Sequence, residues 1–165
     1  MSSSSVHHYT TRLVWEGNLG KGTSDYADYS RRFRVSMDNK PDIPGTADPA
    51  FRGEPDRHNP EDLLVASLSS CHMLAYLALC ARKGITVVGY RDDAHGIMNV
   101  FPDGAGRFES VTLHPRVTIT DRAMEALAID LHARAHSLCF IAGSCNFPVH
   151  NLPTVTVDRP EEQDQ

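Results

Sequence analysis

The segment HNPEDLLVASLSSCHMLAYLALCARKG, residues 58–84, contains the features that decide the fold. Asn59 can cap a helix, Pro60 suits the first helical position, and two acids follow in the first turn. Gly84 is well placed to end the helix, because glycine readily adopts the left-handed conformation found there. The sequence therefore predicts one long helix from Pro60 to about Lys83.

This predicted helix is apolar on nearly all of its faces. The residues that make it so are Leu63, Leu64, Val65, Ala66, Leu68, Met73, Leu74, Ala75, Leu77, Ala78 and Leu79. A helix of this kind must be covered on most sides, which a chain of 165 residues can hardly do alone. We therefore expect a homodimer with the helix buried at its centre. Serines, Cys71 and His72 interrupt the apolar run, so a membrane span is not expected.

Outside this helix, the pattern predicts short strands and a second helix. Apolar alternation over residues 9–17 and 26–37 predicts two strands of an N-terminal hairpin. Prolines and glycines over residues 38–59 predict a long irregular loop. The remaining elements are expected to be strands over 85–99 and 107–120 around a Pro102-Asp103-Gly104 turn, a helix over 122–137 capped by Asp121, and short extended pieces over 139–157.

The resulting order ββ-α-ββ-α-β is typical of an α+β fold, with helices on one side of an antiparallel sheet. The length suits a single domain over residues 1–165, with flexible tails at 1–8 and 158–165. Lys and Arg are scattered in a chain of net charge −5, so nucleic-acid binding is not expected.

The N-terminus has no basic segment followed by an apolar one, so it does not resemble a signal peptide. We therefore expect a cytoplasmic protein without membrane association. Thiols are kept reduced in that compartment, so the four cysteines indicate redox or metal chemistry rather than a disulfide framework.

Cys71 lies in the middle of the long helix, where it could simply be a small core residue. Cys80 lies nine residues further on, which is half a turn away around the helix, so these two cysteines cannot share a face. Cys145 lies in a loop and resembles an incidental thiol.

Three residues near the end of the second helix could form a functional face. His132, His136 and Cys139 stand at i, i+4 and i+7. They could bind zinc with a fourth ligand from elsewhere, although no CxxC or HExxH spacing supports this. Alternatively, Cys139 could resolve an oxidised Cys71, or the histidines could simply suit the negative end of a helix.

Four segments resemble the OsmC/Ohr family in matching order. HNPEDLLVASLSSCHML (58–74) resembles the motif in which NPE opens a helix and a reactive cysteine follows ten residues after the glutamate. The other three are WEGNLGKGT (15–23), AFRGE (50–54) and AHSLCFIAGSCNFPV (135–149), which resemble the first hairpin, an arginine-bearing segment and the second cysteine region. Single motifs of this kind are weak, but the ordered set covers most of residues 9–157.

The resemblance implies an intertwined homodimer and a cysteine-based peroxidase that reduces organic hydroperoxides to alcohols. It implies that Cys71 attacks the peroxide and Cys139 resolves the sulfenate as a disulfide. No bound cofactor is implied, and the reductant is expected to be an external dithiol, such as a lipoyl group. A non-catalytic dimeric protein that binds a small apolar ligand is the alternative.

The resemblance also implies an arginine beside the reactive sulfur, oriented by Glu61 through a bidentate pair. The Ohr branch carries its arginine in the first hairpin, where GNLGKGT has none. Arg52 is the best replacement, and Arg57 and Arg31 remain possible. Ten helical residues span about 15 Å, so Glu61 must reach the sulfur by a bend in the first turn or across a dimer interface.

Overall fold

The computed structural model describes residues 5–158, which form two compact units that meet in sequence between Leu63 and Leu64. The predicted flexible tails, 1–8 and 158–165, fall largely outside the described residues. Both helices and strands are present, which confirms the α+β prediction. The single domain and the homodimer stay predictions.

The N-terminal unit is built on a three-stranded antiparallel sheet. Its strands are β1 (Arg12–Trp15), β2 (Phe33–Ser36) and β3 (Ile43–Gly45), in the order β1-β2-β3. Leu13 lies opposite Val35, and Trp15 opposite Phe33. The predicted N-terminal hairpin is therefore confirmed.

Both strands of this hairpin are shorter than the predicted ranges 9–17 and 26–37. The second strand loses its first half because Arg31 binds the backbone before it: its guanidinium donates to the carbonyl oxygens of Tyr29 at 2.5 Å and Tyr26 at 2.7 Å. These two carbonyl oxygens accept from Arg31 and not from a neighbouring strand. Alternation alone gave no sign of this arrangement.

The irregular loop predicted over residues 38–59 contains two short elements, so that prediction was partly wrong. One is β3, and the other is a single turn of 3₁₀ helix, Pro49–Phe51, capped by the carboxylate of Asp48. Pro44 lies within β3, where proline is tolerated because β3 is an edge strand that needs no further donor.

Helix α1 (Pro60–Arg82) begins and ends close to the predicted positions. The side-chain oxygen of Asn59 accepts the amide of Asp62 at 2.7 Å, and the carboxylate of Asp62 accepts the amide of Asn59 at 3.4 Å. This reciprocal cap satisfies two amides at the helix start. Gly84 has a φ of +73°, the left-handed conformation that ends the helix.

Within the described chain, α1 is fully buried only along one stripe, made of Leu68, His72, Tyr76 and Cys80. Leu74 on another face is 64% exposed. By length and composition alone α1 could cross a membrane, so the serines, Cys71 and His72 that interrupt its apolar run do not by themselves exclude a span as expected. The core helix of a soluble protein meets the same criteria.

The second unit contains two further three-stranded sheets. Their strands are β4 (Val87–Asp92), β5 (His95–Val100), β6 (Gly106–Leu113), β7 (Pro115–Ile119), β8 (Val149–Asn151) and β9 (Thr154–Val157). One sheet has the order β4-β7-β9 and the other β5-β6-β8. The final strand of each order is parallel to its neighbour, so the sheets are mixed rather than purely antiparallel as expected.

The long strands predicted over 85–99 and 107–120 are each divided in two, which corrects that prediction. The two points at which the strands are divided lie side by side, because the carboxylate of Asp92 accepts a hydrogen bond from the amide of His114 at 2.6 Å. Pro115, which has no amide hydrogen, follows at once. Each chain segment thus leaves one sheet and enters the other. The turn between β5 and β6 is confirmed, with Gly104 at a φ of +85°.

Helix α2 (Glu125–Leu138) is preceded by a turn of 3₁₀ helix, Arg122–Met124, which Asp121 caps by accepting the amide of Ala123 at 2.8 Å. The predicted cap is therefore correct, but α2 itself begins three residues later than predicted. Its buried residues are Ala128, Leu131, His132 and Ala135. This face packs in a core with the second half of α1.

Candidate active site

Cys71 and Cys139 are neighbours in the second unit. Cys71 lies half-buried in the middle of α1, and Cys139, 3% exposed, follows the last residue of α2 in an extended conformation. The Cys71 thiol lies close enough to act on the pKa of Cys139. Both cysteines are free thiols. Two residues far apart in sequence thus lie together, as the resemblance implied.

The two sulfurs have different surroundings. Burial, followed by the hydrogen bond that the Cys139 thiol makes with Cys71, raises the pKa of Cys139 to about 11, although amides such as that of Ala142, 3.5 Å from the sulfur, act in the opposite direction. Cys139 is therefore a thiol at neutral pH. Cys71 is the more exposed member of the pair, so a reagent from solution meets it first.

The other two cysteines belong to the core. Burial raises the pKa of both thiols. Cys80 lies in the cluster that α1 forms with α2, on a different face from Cys71, as its spacing predicted. Cys145 packs against a cluster of Leu68, Val111 and Leu113. Neither thiol has a feature that activates it.

Glu61 lines a cavity of about 410 Å³ within the N-terminal unit. Its walls are largely aromatic, formed by Trp15, Tyr29, Phe33 and Phe51. Among the described residues, Glu61 has no basic partner, so its carboxylate is available to a ligand or to another charged group.

Arg31 lines the same cavity, whereas Arg52 does not. The Arg31 guanidinium lies 4.2 Å from the ring centre of Tyr26 and 4.1 Å from that of Tyr29, in addition to its bonds to their carbonyls. Cation–π contacts of this kind hold the charge in a fixed place. Arg31 is therefore a rigid cation on the same cavity wall as Glu61.

Arg52 and Glu61, the predicted activating pair, form no ion pair in the described structure. Arg52 is exposed, has a φ of +66°, and lies 5.9 Å from the ring centre of Tyr26. Arg57 instead lies 3.6 Å from Glu54. Glu54 also accepts two bonds from Arg32, at 2.7 and 2.9 Å, and this arginine lowers its pKa.

A histidine pair is the main feature that sequence reasoning missed. His72 Nε2 lies 3.0 Å from His132 Nδ1, and both side chains are 1% exposed. The signal was present, since His72 is a polar residue at the centre of an apolar helix. Helical spacing places His132 with His136 and Cys139, for which zinc binding is one of several interpretations. Over residues 5–158, no three potential ligands are arranged to hold a metal ion.

Comparison with protein families gives a match over residues 53–150 to the family described as OsmC-like protein. This range includes both Cys71 and Cys139. It covers more than half of the 165-residue chain and agrees with the resemblance found in its motifs.

Three individual proteins illustrate the similarity. The solved structure of an OsmC-like protein of unknown function from Vibrio cholerae is 28% identical, with a TM-score of 0.81, and covers 90% of this chain and 100% of its own. An organic hydroperoxide resistance protein OsmC from Legionella pneumophila is 20% identical, with a TM-score of 0.65 and coverage of 92% and 100%. The uncharacterized Bacillus subtilis protein YmaD is 24% identical over 82% of this chain and 85% of its own.

Proposed function

Because the chain belongs to the OsmC-like protein family, we propose that it is a cysteine-based peroxidase that reduces organic hydroperoxides to alcohols. The observation that carries this proposal is the contact between Cys71 and Cys139, two reduced thiols with unequal environments. Solved structures of the same fold are named organic hydroperoxide resistance proteins, which supports the substrate class.

In the first step the Cys71 thiolate attacks one oxygen of the hydroperoxide ROOH. A sulfur–oxygen bond forms and the O–O bond breaks, so that Cys71 is oxidised to a sulfenic acid while the peroxide is reduced. The departing alkoxide takes up a proton and leaves as the alcohol ROH. The thiolate is required, because a protonated thiol is a poor nucleophile.

In the second step Cys139 attacks the sulfenic sulfur. A disulfide bond forms, the sulfur–oxygen bond breaks, and the thiol proton leaves with the hydroxide as water. The position of Cys139 after the end of α2 suits this role, because a helix end can shift more easily than a helix centre. An external dithiol, such as a lipoyl group, would then reduce the disulfide by thiol exchange.

The arginine that stabilises developing charge during the first step is, in this proposal, Arg31. Arg31 shares a cavity wall with Glu61, whereas neither Arg52 nor Arg57 lines that cavity. A fixed cation lowers the cost of charge that develops in the transition state. We place this pair beside Cys71 across the interface of the homodimer that the resemblance implies, where Glu61 of one copy can serve the other.

The alternative is a non-catalytic protein that binds a small apolar ligand. The aromatic cavity of about 410 Å³ favours this function, since ligand sites are usually concave and largely apolar. Titration of accessible thiols in unfolded protein, before and after addition of cumene hydroperoxide, separates the two. The peroxidase loses two thiols per chain, whereas a binding protein loses none.

Two variants make this titration specific. Cys71→Ser should lose no thiol to the peroxide, whereas Cys145→Ser, a matched control outside the reacting pair, should still lose two. Loss of thiols that is the same in Cys71→Ser as in the wild type would contradict the proposal.

A further inference from the structure

The buried pair of His72 and His132 has a directional geometry. Their ring planes are within 11° of parallel, and the facing nitrogens lie 3.0 Å apart, which fits an N–H···N hydrogen bond. The ring of Tyr76 stacks on His132 with 3.9 Å between ring centres. One imidazole therefore donates and the other accepts, in a site closed to solvent.

This pair is costly to bury. Burial lowers the pKa of both groups, that of His132 to about 3, so both rings are neutral at physiological pH. Within residues 5–158, His72 Nδ1 and His132 Nε2 have no hydrogen-bond partner, although both are buried. Two leucines of similar size would leave no unpartnered atom. What the two histidines provide, and two leucines could not, is therefore the hydrogen bond between the rings.

The pair joins the same two helices that carry or precede the reacting cysteines. His72 follows Cys71 on α1, and His132 lies on α2 seven residues before Cys139, which follows the end of that helix. One turn further along α1, the hydroxyl of Tyr76 donates to the backbone carbonyl of Ala128 on α2 at 3.1 Å. Between α1 and α2, these are the two hydrogen bonds of the described structure, and the histidine bond is nearer to Cys139 along α2.

We propose that the hydrogen bond between His72 and His132 is a positioning device that fixes α2 against α1, so that the thiol of Cys139 meets the sulfenic acid of Cys71. This inference rests on the proposed function for the reaction concerned. The step it assists forms the disulfide, breaks the sulfur–oxygen bond and releases water. Neither histidine touches the reacting atoms, so both are positioning residues.

Amide side chains allow a matched test. Gln places its amide where histidine has Nε2, and Asn places its amide where histidine has Nδ1. The double variant His72→Gln with His132→Asn (the Gln–Asn variant) can therefore rebuild the bond. The double variant His72→Asn with His132→Asn (the short variant) is one methylene too short. Both variants bury two side-chain amides. Tyr76→Phe is the control for general weakening, because it removes the other hydrogen bond between the helices.

The readout separates the two steps of the reaction. With one equivalent of cumene hydroperoxide, the short variant should oxidise Cys71 at the wild-type rate but form the disulfide at least about tenfold more slowly, the scale of a small misplacement of reacting groups. Its sulfenic acid should be trapped by dimedone. The Gln–Asn variant and Tyr76→Phe should form the disulfide at close to the wild-type rate.

A second readout needs no peroxide. In a buffer of reduced and oxidised dithiothreitol, the short variant should populate the disulfide between Cys71 and Cys139 about tenfold less than the Gln–Asn variant. If wild type ignores peroxide, the proposed function fails while this equilibrium still tests the positioning role. Equal disulfide populations in these two variants, or an equal loss in Tyr76→Phe, would overturn the inference.

Discussion

The acid stability of the protein should depend on the buried pair of His72 and His132. Because the pKa of His132 is lowered to about 3, the folded protein resists a proton that the unfolded chain accepts near the ordinary value of 6.5. The unfolded state thus binds more protons between these values, so the free energy of unfolding falls as pH decreases below 6.5. Well above pH 6.5 neither state binds this proton, so the free energy of unfolding no longer depends on His132 there.

The size of the effect follows from the two values. At pH 4.5, two units below the ordinary value and still above the folded one, the loss from His132 alone is roughly 3 kcal/mol. This is a large share of the stability of a typical small protein. The lowered pKa of His72 adds to it.

Urea unfolding at pH 7 and pH 4.5 measures this loss. Carboxylates also titrate in this range, so the useful quantity is the difference between wild type and the variant His72→Gln with His132→Asn, whose amides do not titrate. Wild type should lose about 2–3 kcal/mol more than the variant between the two pH values. Equal losses in both proteins would refute the reasoning.

The other expected outcomes concern the thiols, the arginines and assembly. Since the pKa of Cys139 is about 11, disulfide formation followed by stopped flow should accelerate about tenfold per unit from pH 7 to 9; a rate constant independent of pH would contradict this. Arg31→Ala should slow oxidation of Cys71 by about 10²–10³, while Arg52→Ala should change it little; the reverse result would return the role to Arg52. Light scattering at micromolar concentration should show a dimer, because Leu74, Ala66 and Ala78 of α1 are exposed in the single chain; a monomer would contradict it.

The sequence predicted elements well where a local signal defines them. Asn59, Pro60 and Gly84 mark the ends of α1, and the structure places both ends within one residue of the expected positions. Asp121 was likewise recognised as a cap. Capping interactions act within a few residues, so a single sequence contains all the information needed to find them.

The errors have a different origin, because they depend on contacts between distant residues. The division of the long strands requires Asp92 to meet His114, and the shortened second strand requires Arg31 to fold back on its neighbours. Neither contact changes the apolar pattern of its own segment. A periodic pattern predicts that a strand exists better than it predicts where the strand ends.

In the candidate site, too, local motifs could be recognised in the sequence, whereas contacts between distant residues could not. The family motif located Cys71 and Cys139, which the structure brings together. Sequence distance from Glu61 does not show which arginine shares its cavity, because the cavity wall is assembled by folding of the N-terminal sheet. The partner of His132 could not be found from the sequence, since helical spacing predicts a shared face but not the residue across from it.

The intact mass of the protein after one equivalent of cumene hydroperoxide tests the central claim most directly. Wild type should lose two hydrogens as Cys71 and Cys139 form a disulfide, whereas Cys139→Ser should gain one oxygen on Cys71 and Cys71→Ser should not change. Cys80→Ser should behave as wild type, because its thiol lies in the core away from the pair. An added oxygen on Cys139 in Cys71→Ser would reverse the assigned roles, and an unchanged wild-type mass would contradict the peroxidase itself.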